Sequence, residues 1–109
     1  MKRIFTLFVF CIALAGVLSL LSAGRSEAAK SGEALFKELC AVCHPDGGNI
    51  VNPKKTLHKK DLDANKIKTP ADIVKTMRNP GQGMNKFDEK TVPDADAKAV
   101  AEYILKKFK

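Results

Sequence analysis

Residues 29–109 are predicted to form an all-α domain of three main helices with short ones between them. Three observations carry that prediction. Apolar residues recur at helical spacing in three places: Leu35, Phe36 and Leu39; Ile73, Val74 and Met77; and Ala97, Val100, Ala101, Ile104 and Phe108. Proline, glycine and asparagine clusters separate these segments. No stretch of the region has a persuasive strand pattern.

The first helix is expected over residues 32–41, with Ser31 as its cap. A glycine- and asparagine-rich loop follows from Pro45 to Pro53, with Gly47-Gly48-Asn49 as turn chemistry. A short helix is expected over residues 59–64. The next helix is well punctuated: Thr69 caps it, Pro70 occupies its first turn, and Asp72 sits near its positive end. Asn79-Pro80-Gly81 stops it, and a loop then carries Gly83, Met84 and Phe87. The last helix is expected after Pro93, with Asp94 as its cap, and runs to about Lys107. Lys106, Lys107 and Lys109 lie at its negative end, where cations are favoured.

The residues before this domain read as a targeting segment. Met1-Lys2-Arg3 is a basic start, and Ile4 to Leu21 is an apolar run of 18 residues broken only by Thr6, Gly16 and Ser19. Ser26-Glu27-Ala28 offers small residues where a signal peptidase reads, so residues 1–28 are expected to be a signal peptide cleaved after Ala28. The run is also at the lower edge of a membrane span, which leaves an uncleaved anchor as the alternative. Cys11 has no small residue before it and reads as part of the leader.

Without the leader, 81 residues remain, enough for one domain. Removing Lys2, Arg3, Arg25 and Glu27 leaves 16 basic and 11 acidic side chains, a net charge of +5. Only four aromatics remain: Phe36, Phe87, Tyr103 and Phe108. So short a chain buries too little apolar area to be comfortably stable on its own.

Cys40-Ala41-Val42-Cys43-His44 resolves that shortage. A C-x-x-C-H run reads as a c-type haem attachment site. The two thiols can add across the vinyl groups of one haem, giving two thioether bonds. The following imidazole can ligate the iron, and the porphyrin supplies an apolar slab for packing. A thioredoxin-like redox pair would need strands around Cys40. A Cys₂His₂ zinc site could recruit His58, but His44 directly abuts Cys43, unlike the histidines of such sites. Both thiols are expected to be in the haem motif, with no disulfide.

Three side chains are candidates for the other face of the iron: His58, Met77 and Met84. His58 lies in a lysine-rich stretch and is expected at the surface. Met77 falls on a buried helical stripe and is read as core. Met84, in a loop just beyond a helix, is the expected ligand. A His/Met pair raises the reduction potential and fills both axial positions.

Over residues 30–109 the chain resembles the class I c-type cytochromes, and within them the cytochrome c6 subgroup and its bacterial relatives. Gly32 and Phe36, eight and four residues before Cys40, resemble the crossing point of the family's first helix. Tyr103, in Ala99-Val100-Ala101-Glu102-Tyr103, resembles the aromatic of the last helix that packs there. Pro53, nine residues after His44, resembles the proline whose carbonyl accepts the proximal histidine's Nδ1–H, and Thr56-Leu57 continues the match. Met84 lies 40 residues past His44, as the distal methionine does in the subgroup. Phe87 matches an aromatic of the same loop. Asn85 departs from the pattern, standing where the family has proline.

The resemblance implies the cytochrome c fold, with helices wrapped around one covalently attached haem c. It implies a single-electron carrier rather than an enzyme, working as a monomer between redox partner proteins outside the cytoplasm, in a periplasm or a thylakoid lumen. Two other readings are a haem sensor or peroxidase-like protein with a labile Met84, and a membrane-tethered haem subunit. Lys54, Lys55, Lys59, Lys60, Lys66 and Lys68 crowd one segment against Asp61 and Asp63. The crowd reads either as a solvated face or as a docking patch for an acidic partner. Nucleic acid is not expected as a partner, because no aromatics interleave with these lysines. Membranes are expected only through redox complexes or an uncleaved leader.

Overall fold

The computed structural model describes residues 30–109. The leader expected over residues 1–28 lies outside them. The regular elements described are all helical: α1 (Gly32–Leu39), a 3₁₀ turn (Pro45–Gly47), α2 (Lys59–Ala64), α3 (Pro70–Arg78) and α4 (Asp94–Lys107).

Local chemistry explains most of the boundaries. The Ser31 hydroxyl accepts the Ala34 N–H at 3.2 Å and starts α1. At α3 the Thr69 hydroxyl accepts the Asp72 N–H at 3.2 Å, and the Asp72 carboxylate accepts the Thr69 N–H at 3.0 Å, a reciprocal capping box. Asp72 also accepts the Lys68 N–H, and that bond leads the causes that hold its carboxyl below the ordinary range.

Two boundaries differ from expectation. The first helix stops at Leu39, not at residue 41. The N–H groups of Cys40 and Ala41 both reach the Phe36 carbonyl, at 2.9 Å each, so the helical register slips there. Asp94 does not cap α4. Pro93 holds the cap position without a side-chain bond, and Asp94 is the first helical residue. Its carboxylate instead accepts from Arg78 Nη2 at 2.7 Å, a charge-assisted bond that outcompetes a neutral backbone amide.

The core forms where α1 and α3 pack on α4. Leu35 and Phe36 of α1, Ile73 and Met77 of α3, and Ala97, Val100, Ala101 and Ile104 of α4 are buried with Leu62, Val92 and Phe108. The crossing of α1 and α4 depends on Gly32. A Cβ there would land on the Ala99 carbonyl oxygen, well inside van der Waals contact, and 3.1 Å from the Tyr103 Cβ. Phe36 and Tyr103 then meet with ring centroids 5.4 Å apart, inside the range of favourable aromatic pairs.

The chain end closes the domain. Phe108, expected on a helix face, instead caps α4 and is buried. Its ring lies 5.3 Å from Phe36 and 6.1 Å from Tyr103, and its carbonyl accepts the Lys59 N–H at 2.9 Å. Gly47 lies beneath the same ring at φ +78°, where a Cβ would come within 2.5 Å of Phe108 Cδ1. Past α2, Lys66 takes a left-handed φ of +61°, and the Ile67 N–H returns to the Leu62 carbonyl at 2.9 Å. Glycine is the usual residue in such a helix stop.

Two substitutions test these close approaches. Gly32→Ala must push α1 off α4 and is expected to cost about 3 kcal/mol, lowering Tm by roughly 10 °C or more in a thermal melt. Lys66→Gly relieves the left-handed strain and is expected to raise stability by about 0.5–1 kcal/mol in the same measurement.

Candidate haem site

The attachment motif sits on a single helical turn just past α1. The His44 N–H bonds the Cys40 carbonyl at 2.9 Å and the Cys43 N–H bonds the same carbonyl at 3.2 Å. A three-residue offset on such a turn puts both thiols on one side of the chain. Both cysteines are half-buried and unpaired. Burial pushes the Cys40 thiol up to about 11.

His44 is oriented by its other ring nitrogen. Nδ1 lies 2.6 Å from the Gly48 carbonyl oxygen. A carbonyl can only accept, so in the neutral imidazole Nδ1 carries the proton and Nε2 the lone pair. The resemblance implied Pro53 as this acceptor. In the structure the acceptor is Gly48, and Pro53 is exposed further along the loop. The reason is local: the 3₁₀ turn Pro45–Gly47 folds the chain back at once, through left-handed Asp46 and Gly47. The Gly48 carbonyl, four residues on, is thereby delivered to the ring.

The loop beyond is stapled by Asn49. Its Oδ1 accepts the N–H groups of Val51 and Asn52, at 3.0 and 2.9 Å, and its Nδ2 donates to the Lys55 carbonyl at 2.8 Å. The Ile50 N–H returns to the Cys43 carbonyl at 3.0 Å, and the Leu57 N–H to the Gly47 carbonyl at 2.7 Å. These bonds fix the loop against the motif.

That loop also meets the segment carrying Met84. A Cβ on Gly83 would come within 2.9 Å of Val51 Cγ1, and Gly83 itself takes a φ of +92°. Met84 is half-buried and packs against the core, as does Phe87. The Phe87 N–H donates to the Met77 carbonyl at 2.9 Å. Met77 is 4% exposed and belongs to the core. His58 is exposed at the start of α2, edge-on to Phe108 with ring centroids 5.8 Å apart. Among the described residues no three of His, Cys, Asp and Glu gather as a metal-holding group, so the Cys₂His₂ arrangement is not assembled.

The side chains fit a flat apolar group. Cys40, Ala41, Leu57, Ile67, Val74, Met84 and Phe87 are only partly covered, although each packs on the buried core. Val42, Ile50 and Val51, in and beside the motif, are 75%, 64% and 57% exposed. Two free thiols, an imidazole with its Nε2 uncommitted and an apolar wall are the donor set and surroundings of a covalently held haem.

Comparison with known proteins agrees. A family model described as cytochrome c oxidase, cbb3-type, subunit III matches residues 27–104. Cytochrome c6 of Synechocystis is 37% identical over 94 residues, spanning 86% of this chain and 78% of that one. The chain belongs to the class I c-type cytochromes. Cytochrome c6 of Gracilaria tenuistipitata is 31% identical over 107 residues, covering 98% of this cytochrome and 95% of that one. The structure of OmcF, an outer membrane cytochrome F from Geobacter sulfurreducens, superposes with a TM-score of 0.71 at 46% identity, covering 72% of this chain and all of that one. Cytochrome c6C from Synechococcus gives 0.68 at 26% identity, over 72% and 95% of the two chains. The cytochrome carries covalently bound haem c and transfers electrons with redox partners rather than acting as an enzyme.

Sequence reasoning missed three contributors: Gly48, Asn49 as a staple, and Arg78. Asn49 was legible only as turn chemistry. Arg78 had a weak signal, a cation in the last turn of a helix, but its partners lie 9 and 14 residues further on.

Proposed function

We propose that this cytochrome is a one-haem carrier outside the cytoplasm, with His44 and Met84 on the two faces of the iron. His44 carries the reading: its Nδ1–H is spent on Gly48, so Nε2 is the basic nitrogen directly after the Cys40 and Cys43 thiols. When bound, the haem supplies an iron that accepts and gives up one electron. Cys40 and Cys43 tether it, and the Gly48 bond keeps the imidazole in the tautomer that ligates. The half-covered Leu57, Ile67, Val74 and Phe87 exclude water from its apolar faces. Phe87 further anchors the loop that carries Met84.

Met84 is supported by exclusion among the three candidates. Met77 is committed to the core, and His58 to the surface beside Phe108. The Met84 thioether lies in a loop that touches, through Gly83 and Val51, the loop returning to Cys43. A neutral thioether placed there would favour the reduced iron.

The basic start and apolar run of residues 1–28 support cleavage after Ala28 and release of residues 29–109 into a periplasm or a thylakoid lumen. Among the described residues no helix is long and apolar enough to cross a membrane. Lys54, Lys55, Lys60, Lys66 and Lys68 are exposed, and Lys59 pairs with Asp63 at 2.5 Å. This basic face suits a weak, fast encounter with an acidic donor or acceptor.

Met84→Ala is expected to remove the Fe–S charge-transfer band, lower the reduction potential and speed CO binding to the ferrous protein by at least about tenfold, as the open fraction rises. An unchanged visible spectrum would rule Met84 out. Electron transfer to an acidic acceptor should slow by about an order of magnitude as ionic strength rises from about 0.01 to 0.15 M, where the Debye length shrinks from about 30 to 8 Å. A flat salt response in stopped-flow traces would refute the basic docking face.

A further inference from the structure

Arg78 is the last residue of α3, and its guanidinium is turned inward with only 19% of its side chain exposed. It holds three acceptors at once. Nη1 donates to the Phe87 carbonyl at 3.0 Å and to the Val92 carbonyl at 2.8 Å, and Nη2 to Asp94 Oδ1 at 2.7 Å. These acceptors lie along and just after residues 79–92, the segment that carries Met84 from α3 to α4. Val92 is 1% exposed, so that end is sunk in the core.

Past Phe87 the segment closes on Asp88, whose carbonyl accepts the Val92 N–H at 2.9 Å and whose carboxylate accepts the Thr91 N–H at 2.8 Å, but the part that carries Met84 has few hydrogen bonds of its own. The Asn79 N–H still belongs to α3, bonding Lys75. The Met84 N–H reaches the Gly81 carbonyl only at 3.5 Å, the outer limit of a hydrogen bond. Residues 81–83, 85 and 86 are exposed, and Gly83 adds backbone freedom. At the neck of the loop Phe87 uses both backbone groups: its N–H goes to the Met77 carbonyl and its carbonyl receives Arg78. One side chain therefore ties the neck to the segment's far end. A forked, planar cation can do this, whereas an ammonium cannot span the same acceptors in fixed geometry.

We infer that Arg78 is a positioning residue for the distal iron ligand: by clamping the Phe87 and Val92 carbonyls it keeps the Met84 thioether on the haem iron. The inference rests on Met84 being that ligand. Its role is separable from plain stability. Losing the clamp frees the loop selectively, whereas truncating Val100, fully buried on α4, weakens the whole domain.

The test is CO association with the ferrous haem protein, with the Fe–S charge-transfer band read separately in the ferric protein, in wild type, Arg78→Met, Asp94→Asn, Val100→Ala and Met84→Ala. CO enters only while the methionine is off, so the rate tracks the open fraction. Arg78→Met is expected to speed CO binding by about tenfold or more and weaken the band. Asp94→Asn keeps both carbonyl bonds and should stay within about twofold of wild type, as should Val100→Ala despite its lower Tm. If Met84→Ala binds CO fast while Arg78→Met stays at the wild-type rate, the clamp is overturned and the ligand assignment stands. If Met84→Ala itself is slow and keeps the band, the ligand assignment fails, and the clamp with it. If Val100→Ala speeds up as much as Arg78→Met, the effect is general loosening and the clamp is again overturned. Should Arg78→Met yield no haem-loaded protein, Arg78→Lys, which keeps the charge but not the fork, is judged by the same criterion.

Discussion

At Gly32 the backbones of α1 and α4 touch with no side chain between them. That contact sets where everything else can go. It brings the Phe36 ring onto Tyr103 and Phe108, and the turn with the two thiols follows directly after α1. A methyl group at residue 32 would lever these elements apart. The aromatic cluster at the chain end and the seat of Gly47 would both loosen.

The proximal side of the site follows from that crossing through short-range geometry. Once Phe108 lies over Gly47, only a residue without a Cβ can occupy the turn. The turn then presents the Gly48 carbonyl to His44. The hydrogen bond that orients the His44 ring thus depends on the packing of the last helix. Asn49 extends the same rigid piece to Lys55, and Val51 carries it to Gly83. The segment that carries Met84 meets a different restraint, the Arg78 guanidinium, which reaches from the Phe87 carbonyl to Asp94.

The charge pattern is consistent with this division. Ion pairs along the helices, such as Lys37 with Glu33 and Lys98 with Glu102, are exposed one-turn pairs that add little stability. The lysines on and around α2 lie on the same stretch of chain as His58 and Thr56, outside the clamp and the crossing.

Much of this was legible in the amino-acid sequence because covalent neighbours carry it. Cys40, Cys43 and His44 need no fold to declare their chemistry. The caps at Ser31 and Thr69, the stop at Asn79-Pro80-Gly81 and the apolar stripe through Ile73 and Met77 are set by residues within a turn of each other. Gly32, Phe36 and Tyr103 were legible as a family resemblance, and the structure gives them the contact it implied. Tertiary structure alone decided which carbonyl meets His44, where Phe108 goes, why Asp94 leaves its cap position and what Arg78 holds. In each case the choice lies between partners of similar chemistry at different places along the chain. Only the packed backbone determines which of them comes within hydrogen-bonding distance.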